Sequence, residues 1–304
     1  MKPVSMRSRA RGFSLVEILV SLVIGLVVVG AVLVSMIGSG KAGRYQAAYA
    51  QMNEDAQIGL SILSRDLQMA GYSQPTGLVN TTPAATPTWQ LSYGTLGASA
   101  HVMGCDTGFA NVNAATVACG TATTPAFEVV YEADANNTVA TTGVPSYPSD
   151  CLGNKITGNG DGVTVGPPYV AHNRYFISAG NSNRPELYCA SPPNPPPNNI
   201  VVPKQPLIEN IENMKVWYGV SVLANPTQVV RYVTATDIAT QGAAEWAKVI
   251  SVRVCLLVRS AEPVLNTGED TLTYRDCDAA SQTPTDRYLR RAYFTTAALR
   301  DKMP

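Results

Sequence analysis

The sequence has 304 residues with 22 basic and 22 acidic side chains, so its formal net charge is zero. Four of the basic residues precede the first carboxylate: Lys2, Arg7, Arg9 and Arg11. Without them the balance is 18 basic against 22 acidic residues, a net charge of −4. Neither balance gives a general electrostatic attraction for DNA, so no nucleic-acid partner is expected.

An apolar run over residues 13–37 follows this basic start. Its only polar side chains are Ser14, Glu17, Ser21 and Ser35. At about 1.5 Å of rise per helical residue, the run is long enough to cross a bilayer core of roughly 30 Å. A carboxylate within such a run costs on the order of 2.5–3.5 kcal/mol on insertion scales, which makes Glu17 a candidate functional residue.

Three interpretations account for this N-terminus. A cleaved secretory signal would need small residues after the apolar run, and Ser39 and Gly40 match that pattern poorly. A signal anchor accounts for the length and the basic flank but leaves Glu17 unexplained. The third interpretation is a prepilin, because residues 11–17 (RGFSLVE) closely resemble the class III signal of type IV pilins and pseudopilins.

This resemblance implies a processing site and an assembly residue. In that family a prepilin peptidase cuts on the cytoplasmic side after the glycine and methylates the new N-terminal phenylalanine. By this resemblance Gly12 ends the leader, Phe13 is the N-methylated first residue of the mature chain, and Glu17 is the family's glutamate.

The spacing of Phe13 and Glu17 fits a role in assembly. The two residues are four positions apart, which places them on one face of a helix. Cleavage would create an α-amine at Phe13, and within lipid an amine and a carboxylate both become tolerable when they pair. Pairing between Glu17 and the amine of a neighbouring subunit would fix the axial offset in a growing filament. The alternative is a carboxylate at the membrane interface with no role in assembly.

The charges also predict the orientation and the domain organisation. Basic residues before the apolar run favour a cytoplasmic N-terminus and a single pass that leaves the C-terminal part outside. The resemblance implies that the membrane is the bacterial inner membrane and that the C-terminal part is periplasmic. The expected organisation is a leader over 1–12, a transmembrane helical part over 13–37, an amphipathic helical part over 38–72, and a β-rich globular domain over 73–304.

A helical period continues beyond the apolar run. Apolar or small residues recur every three or four positions: Tyr45, Tyr49, Met52, Ala56, Gly59, Leu63, Leu67 and Ala70. Residues that include Glu54, Arg65 and Asp66 supply the polar remainder. With no proline between residues 13 and 71, the pattern predicts one long helix. It also predicts a bend at Gly38, Gly40 and Gly43 and a cap at Gly71.

The six cysteines indicate an oxidising compartment. They are Cys105, Cys119, Cys151, Cys189, Cys255 and Cys277, without the close ligand pairs of a zinc site. An even count outside the membrane predicts three disulfides, although six cysteines allow 15 pairings. Pairing of sequence neighbours is placed first because each closed loop is then short. The alternative is that one or more cysteines stay free.

Beyond Gly71 the composition changes to that of loops and strands. Residues 73–127 contain Asp106 as their only formal charge. Alternating or apolar runs predict strands at 127–132, 174–178, 186–189, 215–220 and 250–259, and within 288–299. A proline-rich run at 191–197 predicts a surface loop. One helix followed by many antiparallel strands indicates an α+β fold.

Several segments resemble the PilW group of minor pilins. They are residues 64–72, 149–153, 173–176, 185–189, 205–212 and 252–260, and residues 290–300 are similar in character to J-type pseudopilins of type II secretion. The resemblance implies a type IV pilin-like fold in which a long N-terminal helix packs on an antiparallel sheet with disulfide-stapled loops. It implies a minor pilin that primes pilus assembly in a tip complex and supports twitching motility and attachment. The implied partners are the prepilin peptidase, other minor pilins, the major pilin and the inner-membrane assembly platform.

Other function classes remain as alternatives. The chain could be a J-type pseudopilin, a DNA-uptake pilin, or a tip adhesin that holds a ligand near Trp89 or Tyr93. An enzyme is not expected, because no nucleophile-elbow, zinc-protease or P-loop motif occurs, and no cofactor or metal is expected either. The glycine-rich run at 158–162 is interpreted as a tight turn. Arg287, Arg290, Arg291 and Arg300 are interpreted as a solvated strand face, with a nucleic-acid patch as the alternative.

Overall fold

The computed structural model describes residues 12–81, 84–89, 101–114, 117–142, 145–158, 166–180, 184–191, 204–222, 227–265 and 272–302. The chain divides into two compact units, one up to Tyr49 and one from Ala50 onward. Helix α1 (Leu15–Met69) begins in the first unit and continues into the second, where it is the first element. The single long helix expected from the sequence is confirmed.

Within the first unit, α1 stays helical through Gly38, Gly40 and Gly43. The apolar side chains that precede these glycines are exposed. By length and composition this helix is able to cross a membrane. The bend expected at the three glycines stays a prediction.

In the second unit, α1 ends at a glycine cap. Gly71 has a φ of +81°, and the backbone N–H of Tyr72 donates to the carbonyl oxygen of Met69 at 2.9 Å. A Cβ atom at Gly71 would lie 2.5 Å from Cγ of His101. The predicted cap is therefore confirmed, and glycine is required both for its left-handed backbone and for the space it leaves.

A hairpin and a five-stranded antiparallel sheet follow. The hairpin joins β1 (Pro75–Thr81) to β2 (Ala84–Trp89). The sheet contains β3 (Val102–Cys105), β4 (Ala126–Glu132), β5 (Val170–Ala179), β6 (Pro185–Ala190) and β7 (Lys204–Glu209). Its strands lie in sequence order, β3-β4-β5-β6-β7, so each described neighbour is reached without a crossover.

Strand β4 is buried on both faces, which explains why its two glutamates are buried as well as its apolar residues. One face meets the second-unit part of α1, where the hydroxyl of Tyr131 reaches Asp66. On the other face Glu128 accepts a hydrogen bond from Arg174, whose guanidinium also donates to the carbonyl oxygen of Val112 in the loop after β3. The alternation of Phe127, Val129 and Tyr131 in the sequence predicted the face that meets α1. The loop after β3 covers the opposite face.

The second sheet has four antiparallel strands. It contains β8 (Ile211–Val220), β9 (Arg231–Val233), β10 (Val249–Arg259) and β13 (Arg290–Ala298) in the order β13-β10-β8-β9. A single residue, Asn210 with a φ of +64°, separates β7 from β8 and carries the chain from one sheet into the other. In the central strand β10, Val252, Val254, Leu256 and Val258 form a fully buried face, as the sequence predicted.

Smaller elements complete the second unit. Helix α2 (Ala235–Gln241) begins with a capping box in which Thr234 and Asp237 satisfy each other's backbone N–H groups. A 3₁₀ turn (Ala243–Lys248) leads into β10, and a short hairpin joins β11 (Tyr274–Arg275) to β12 (Ser281–Gln282). A last 3₁₀ turn spans Arg300–Lys302.

Three disulfides connect the loops to the sheets. Cys105–Cys119 closes the loop after β3, Cys151–Cys189 ties the segment before β5 to β6, and Cys255–Cys277 ties β10 to the β11–β12 hairpin. All six cysteines are paired, each with its neighbour in the sequence.

All six strand segments expected from the sequence are strands, and the α+β class is confirmed. Helix α2 was not predicted, and no individual strand was predicted at the positions of β1, β2, β3, β7, β9, β11 and β12. Strand β7 contains Pro206 and lies at the edge of its sheet, the position where a strand tolerates proline. Apart from their first residues, the proline-rich run at 191–197 and the glycine-rich run at 158–162 lie outside the described residues, as do Tyr93 and the side chain of Trp89.

Candidate assembly site

The candidate processing site lies just before α1 begins. Gly12 and Phe13 are not helical, and Phe13 is 79% exposed. No atom lies within 4 Å of the position that a Cβ at Gly12 would occupy. Within the described part of the chain, the peptide bond after Gly12 is therefore open to an approaching enzyme.

Glu17 lies in the first turn of α1. Among the described residues its carboxylate makes no hydrogen bond or ion pair, because the nearby hydroxyl of Ser21 donates to the backbone carbonyl oxygen of Glu17 instead. The exposed N–H groups at a helix N-terminus favour a carboxylate in the first turn. That local stabilisation leaves both carboxylate oxygens available for a partner from outside the chain.

The surface around Glu17 is apolar. Large exposed side chains surround the helix in this unit; among them are Leu15, Val16, Ile18, Leu19, Val20, Leu22 and Val23. Soluble proteins rarely expose an apolar area of this extent, and such areas mark protein or membrane contact sites. The arrangement is thus a single carboxylate in an apolar surface, suited to a cationic partner within lipid.

In the second unit, α1 is packed by small and apolar residues. Met52, Ala56, Gly59, Leu63 and Leu67 are buried, as the helical period predicted. Tyr49, counted on the same face by the sequence analysis, is 37% exposed.

Gly59 sets how closely the helix approaches the sheets. A Cβ there would lie 3.1 Å from Leu256 of β10, 3.6 Å from Ile208 of β7 and 3.9 Å from Leu187 of β6. The absence of a side chain thus lets α1 contact both sheets at once.

A half-buried carboxylate fixes the end of α1 to the five-stranded sheet. Oδ2 of Asp66 accepts hydrogen bonds from Nδ2 of Asn173 and from the hydroxyl of Tyr175, both at 2.7 Å. Oδ1 accepts from the hydroxyl of Tyr131 at 3.0 Å. We call this group, Asp66 with Tyr131, Asn173 and Tyr175, the Asp66 cluster. The sequence analysis was wrong to count Asp66 with the polar, outward side of the helix.

Burial dominates the electrostatics of the Asp66 cluster. It raises the pKa of Asp66 above its usual value, although the hydrogen bonds from Tyr175, Asn173 and Tyr131 favour the charged form. Burial and the nearby charge of Asp66 raise the pKa values of Tyr131 and Tyr175, so both hydroxyls stay protonated and act as donors.

The Asp66 cluster is continuous with a disulfide. The side-chain oxygen of Asn173 accepts from the backbone N–H of Cys151 at 3.1 Å, and Cys151 is bonded to Cys189 of β6. One asparagine thus connects α1 to the stapled segment before β5. No local sequence signal marks this connection, because Asp66 and Asn173 are 107 residues apart.

Of the four C-terminal arginines expected to form a solvated face, Arg287, Arg291 and Arg300 are exposed, but Arg290 is not. The side chain of Arg290 is 6% exposed and is bound to Glu212 and Asp286. Arg300 donates to Gln68 of α1 at 2.9 Å, and Arg291 lies over the ring of Tyr293. The expectation failed at Arg290 because Asp286, four residues away, and Glu212, 78 residues away, both bind its guanidinium.

Among the described residues, no cluster of three His, Cys, Asp or Glu side chains could hold a metal ion.

Two protein-family profiles match this chain, one near its N-terminus and one in its C-terminal half. The family profile of type IV pilus-assembly protein W, PilW, matches residues 174–301. The profile of the prokaryotic N-terminal methylation motif matches residues 7–33, which include Gly12, Phe13 and Glu17. The chain is a type IV pilin-like protein of the PilW type. Its N-terminal motif implies processing by a prepilin peptidase, and its exposed apolar helix fits a membrane-anchored pilin.

One solved structure with a related description is a type IV-like pilin from Thermus thermophilus. It is 11% identical with a TM-score of 0.40, and the match covers 84% of the PilW-type chain and 99% of the other. The α+β assignment rests on α1 and the two sheets of this chain, not on that likeness. No curated protein matches the sequence.

Proposed function

We propose that this PilW-type chain is a minor pilin that primes assembly of a type IV pilus as part of a tip complex, and thereby supports twitching motility and attachment. It acts as a structural subunit and not as an enzyme. Its proposed partners are the prepilin peptidase, other minor pilins, the major pilin and the inner-membrane assembly platform.

The observation that carries this proposal is the carboxylate of Glu17, which has no partner among the described residues. It lies in an apolar helical surface, four residues after the phenylalanine of the methylation motif. After cleavage, the α-amine of Phe13 is the cation that such a carboxylate requires within lipid. Each subunit then offers one amine and one carboxylate, so neighbouring subunits can pair head to tail along a growing filament.

The proposed topology follows the charge distribution. The basic leader stays in the cytoplasm, the apolar part of α1 crosses the inner membrane once, and the second unit folds in the periplasm. The three disulfides fit that oxidising compartment. After assembly the second unit lies on the pilus, at or near its tip.

The first prediction concerns processing. The full chain, expressed with its own prepilin peptidase, should yield a mature protein that begins at N-methyl-Phe13. Gly12→Val should block cleavage, because a branched side chain would occupy a position that is open in the native chain. Intact-mass measurement and N-terminal sequencing of the membrane fraction distinguish the two forms.

Gly25→Ala is the matched control, since it alters another glycine with no atom near its Cβ position and should leave cleavage unchanged. A mature chain that begins near Lys41 would contradict the prepilin assignment and indicate an ordinary secretory signal.

A further inference from the structure

Among the described residues, the β11–β12 hairpin covers one part of the outward face of the four-stranded sheet. The Cys255–Cys277 disulfide holds the β11–β12 hairpin over this face, and Lys215 of β8 pairs with Asp278 next to that disulfide. Farther along the strands, Trp217, Arg253 and Thr296 are aligned across β8, β10 and β13 by the strand register. Arg253 and Thr296 are exposed, and Phe294 is 44% exposed.

Arg253 lies on two aromatic rings. Its guanidinium carbon is 5.6 Å from the ring centre of Trp217 and 4.9 Å from that of Phe294. The two rings are nearly parallel, at an interplanar angle of 24° with their centres 6.4 Å apart. Cation–π contact with two rings restricts the side chain while leaving the charge in place. We call Arg253, Trp217 and Phe294 the arginine platform.

The N–H groups of Arg253 are the hydrogen-bond donors of this platform. Among the described residues, Arg253 makes no hydrogen bond and no ion pair; its contacts are with the rings alone. By contrast, Arg174 and Arg290 in the same unit are bound to carboxylates. Arg253 is therefore a restrained cation whose N–H groups have no partner within the described chain.

A further aromatic residue extends this surface. Tyr232 of the edge strand β9 is 42% exposed and lies over Gly219, where a Cβ would be 3.0 Å from its ring. Its hydroxyl is 3.2 Å from the hydroxyl of Ser251 on β10, which fixes the ring against the sheet. The result is a flat, ordered surface of aromatic rings around one open arginine.

We propose that the arginine platform is a docking surface for an acidic side chain on a neighbouring pilin-type subunit other than a second copy of this chain. This inference rests on the proposed function. Tryptophan, tyrosine and arginine are the residue types that dominate the energetics of protein interfaces. A guanidinium with free N–H groups binds a carboxylate through two parallel hydrogen bonds.

The charge and shape of the surface select this occupant. The processed chain has 22 acidic against 18 basic residues, so a subunit of similar composition presents an excess of carboxylates to a cationic platform. The surface is a sheet face rather than an enclosed cleft, which suits a protein surface better than a small ligand. The occupant supplies the carboxylate, and its apolar groups cover Trp217 and Phe294.

Site-specific crosslinking in cells tests the proposal. A photo-crosslinking amino acid replaces Thr296, which is exposed beside Arg253, in the otherwise intact chain within its own strain. We expect a crosslink to another protein that carries a class III prepilin signal, with the crosslinked peptide containing Asp or Glu. Arg253→Glu should lower the crosslink yield by at least about tenfold, the size of effect expected at an interface hot spot.

Two further variants separate docking from folding. Arg291→Glu makes the same charge change at an exposed arginine that lies on a single ring on the other face of β13, and should leave the crosslink unchanged. In the Arg253→Glu strain, changing the crosslinked acidic residue of the partner to arginine should restore the yield. Intact disulfides on non-reducing gels confirm that both variants are folded.

The remaining outcomes overturn the proposal. They are a crosslink only to a second copy of this chain, a crosslink to nucleic acid, no crosslink, or a yield unaffected by Arg253→Glu. Processing at Gly12 and co-purification with other pilins are measured in the same strain. If both are normal, one of these outcomes refutes the docking surface alone; if both fail, the proposed function is refuted as well.

Discussion

At the scale of single residues, two carboxylates of α1 lie in opposite surroundings. Glu17 lies in an exposed apolar surface and has no partner among the described residues. Asp66 is half-buried against a sheet and accepts three hydrogen bonds. The same chemical group therefore attaches the helix to its own domain at Asp66, whereas at Glu17 we propose that it serves contact between subunits.

The second prediction is that Glu17 serves assembly and not folding. Glu17→Ala should leave the second unit folded and the leader cleaved, since no described residue depends on this carboxylate. Surface piliation and co-purification with other minor pilins should be lost, and Glu17→Asp should restore them in part. The measurement is complementation of a deletion strain. Ser35→Ala, a neutral change in the same apolar run, is the control, and full piliation with Glu17→Ala would leave the carboxylate without an assembly role.

The third prediction is that Asp66 stabilises the domain in a pH-dependent manner. Asp66→Ala leaves the buried donors of Tyr131, Asn173 and Tyr175 without their acceptor, which should lower the free energy of unfolding by about 2–4 kcal/mol. Glu54→Ala, a change of an exposed carboxylate on the same helix, should alter it by less than about 0.5 kcal/mol. Urea unfolding of the full chain in detergent, followed by tryptophan fluorescence, gives both values.

The sign of the pH dependence follows from the raised pKa of Asp66. A group whose pKa is higher in the folded state binds its proton more tightly there. Its stabilising contribution is complete below the unfolded pKa of about 3.9 and decreases as the pH rises through the folded pKa. The difference between the native chain and Asp66→Ala should therefore be largest at acidic pH. A difference that grows as the pH rises would contradict this assignment.

At the scale of elements, the second-unit part of α1 is held by close packing. Polar contacts extend along it: the hydroxyl of Tyr293 in β13 donates to Asn53 at 2.6 Å, and Arg300 donates to Gln68. Between these contacts, Gly59 lets the helix approach Leu256, Ile208 and Leu187. Glycine costs about 1 kcal/mol of helix propensity relative to alanine, and this close contact offsets that cost.

The fourth prediction tests that packing. Gly59→Val should lower the free energy of unfolding by about 1–3 kcal/mol, because its methyl groups would overlap side chains of both sheets. Gly43→Val is the matched control: it lies on the same helix with no atom within 4 Å of its Cβ position, and it should be close to neutral. Thermal unfolding of the full-length variants provides the comparison. Equal effects at both glycines would show that helix propensity, and not packing, governs Gly59.

At the scale of the whole molecule, the disulfides make folding depend on the compartment. The bridges close loops with sequence separations of 14, 38 and 22 residues, and one of them is connected to the Asp66 cluster through Asn173. In the chain-entropy account, a longer closed loop gives a larger stabilisation.

The fifth prediction ranks the bridges. Replacing both cysteines of a pair by alanine should cost about 4 kcal/mol for Cys151–Cys189 and about 3 kcal/mol for Cys105–Cys119, with Cys255–Cys277 between them. Urea unfolding of the three double variants checks the order. The Cys151–Cys189 variant should also lose part of the protection that the Asp66 cluster gives to α1, which amide hydrogen exchange detects. A smallest effect at Cys151–Cys189 would contradict the ranking.

The sequence by itself determined the features that depend on neighbouring residues. The apolar run, the cap at Gly71 and the strands with clear alternation follow from local chemistry and periodicity. The motif at Gly12 and Phe13 follows from the resemblance of residues 11–17 to prepilin signals. The even number of cysteines indicated disulfides, because cysteines pair in the oxidising compartment expected for the part of the chain outside the membrane.

Only the tertiary structure decided the features that depend on distant residues. The sequence predicted Asp66 as an exposed helix residue, but in the structure it accepts a hydrogen bond from the buried Tyr175, 109 positions away. Arg290 looked solvated until Glu212, 78 positions away, neutralised it, and Arg253 gained its two rings from β8 and β13. Helical and strand periods report which face of an element is apolar, but they carry no information about which polar group from another element meets that face. The partners of these charged side chains are therefore set by the packing of α1 and the two sheets.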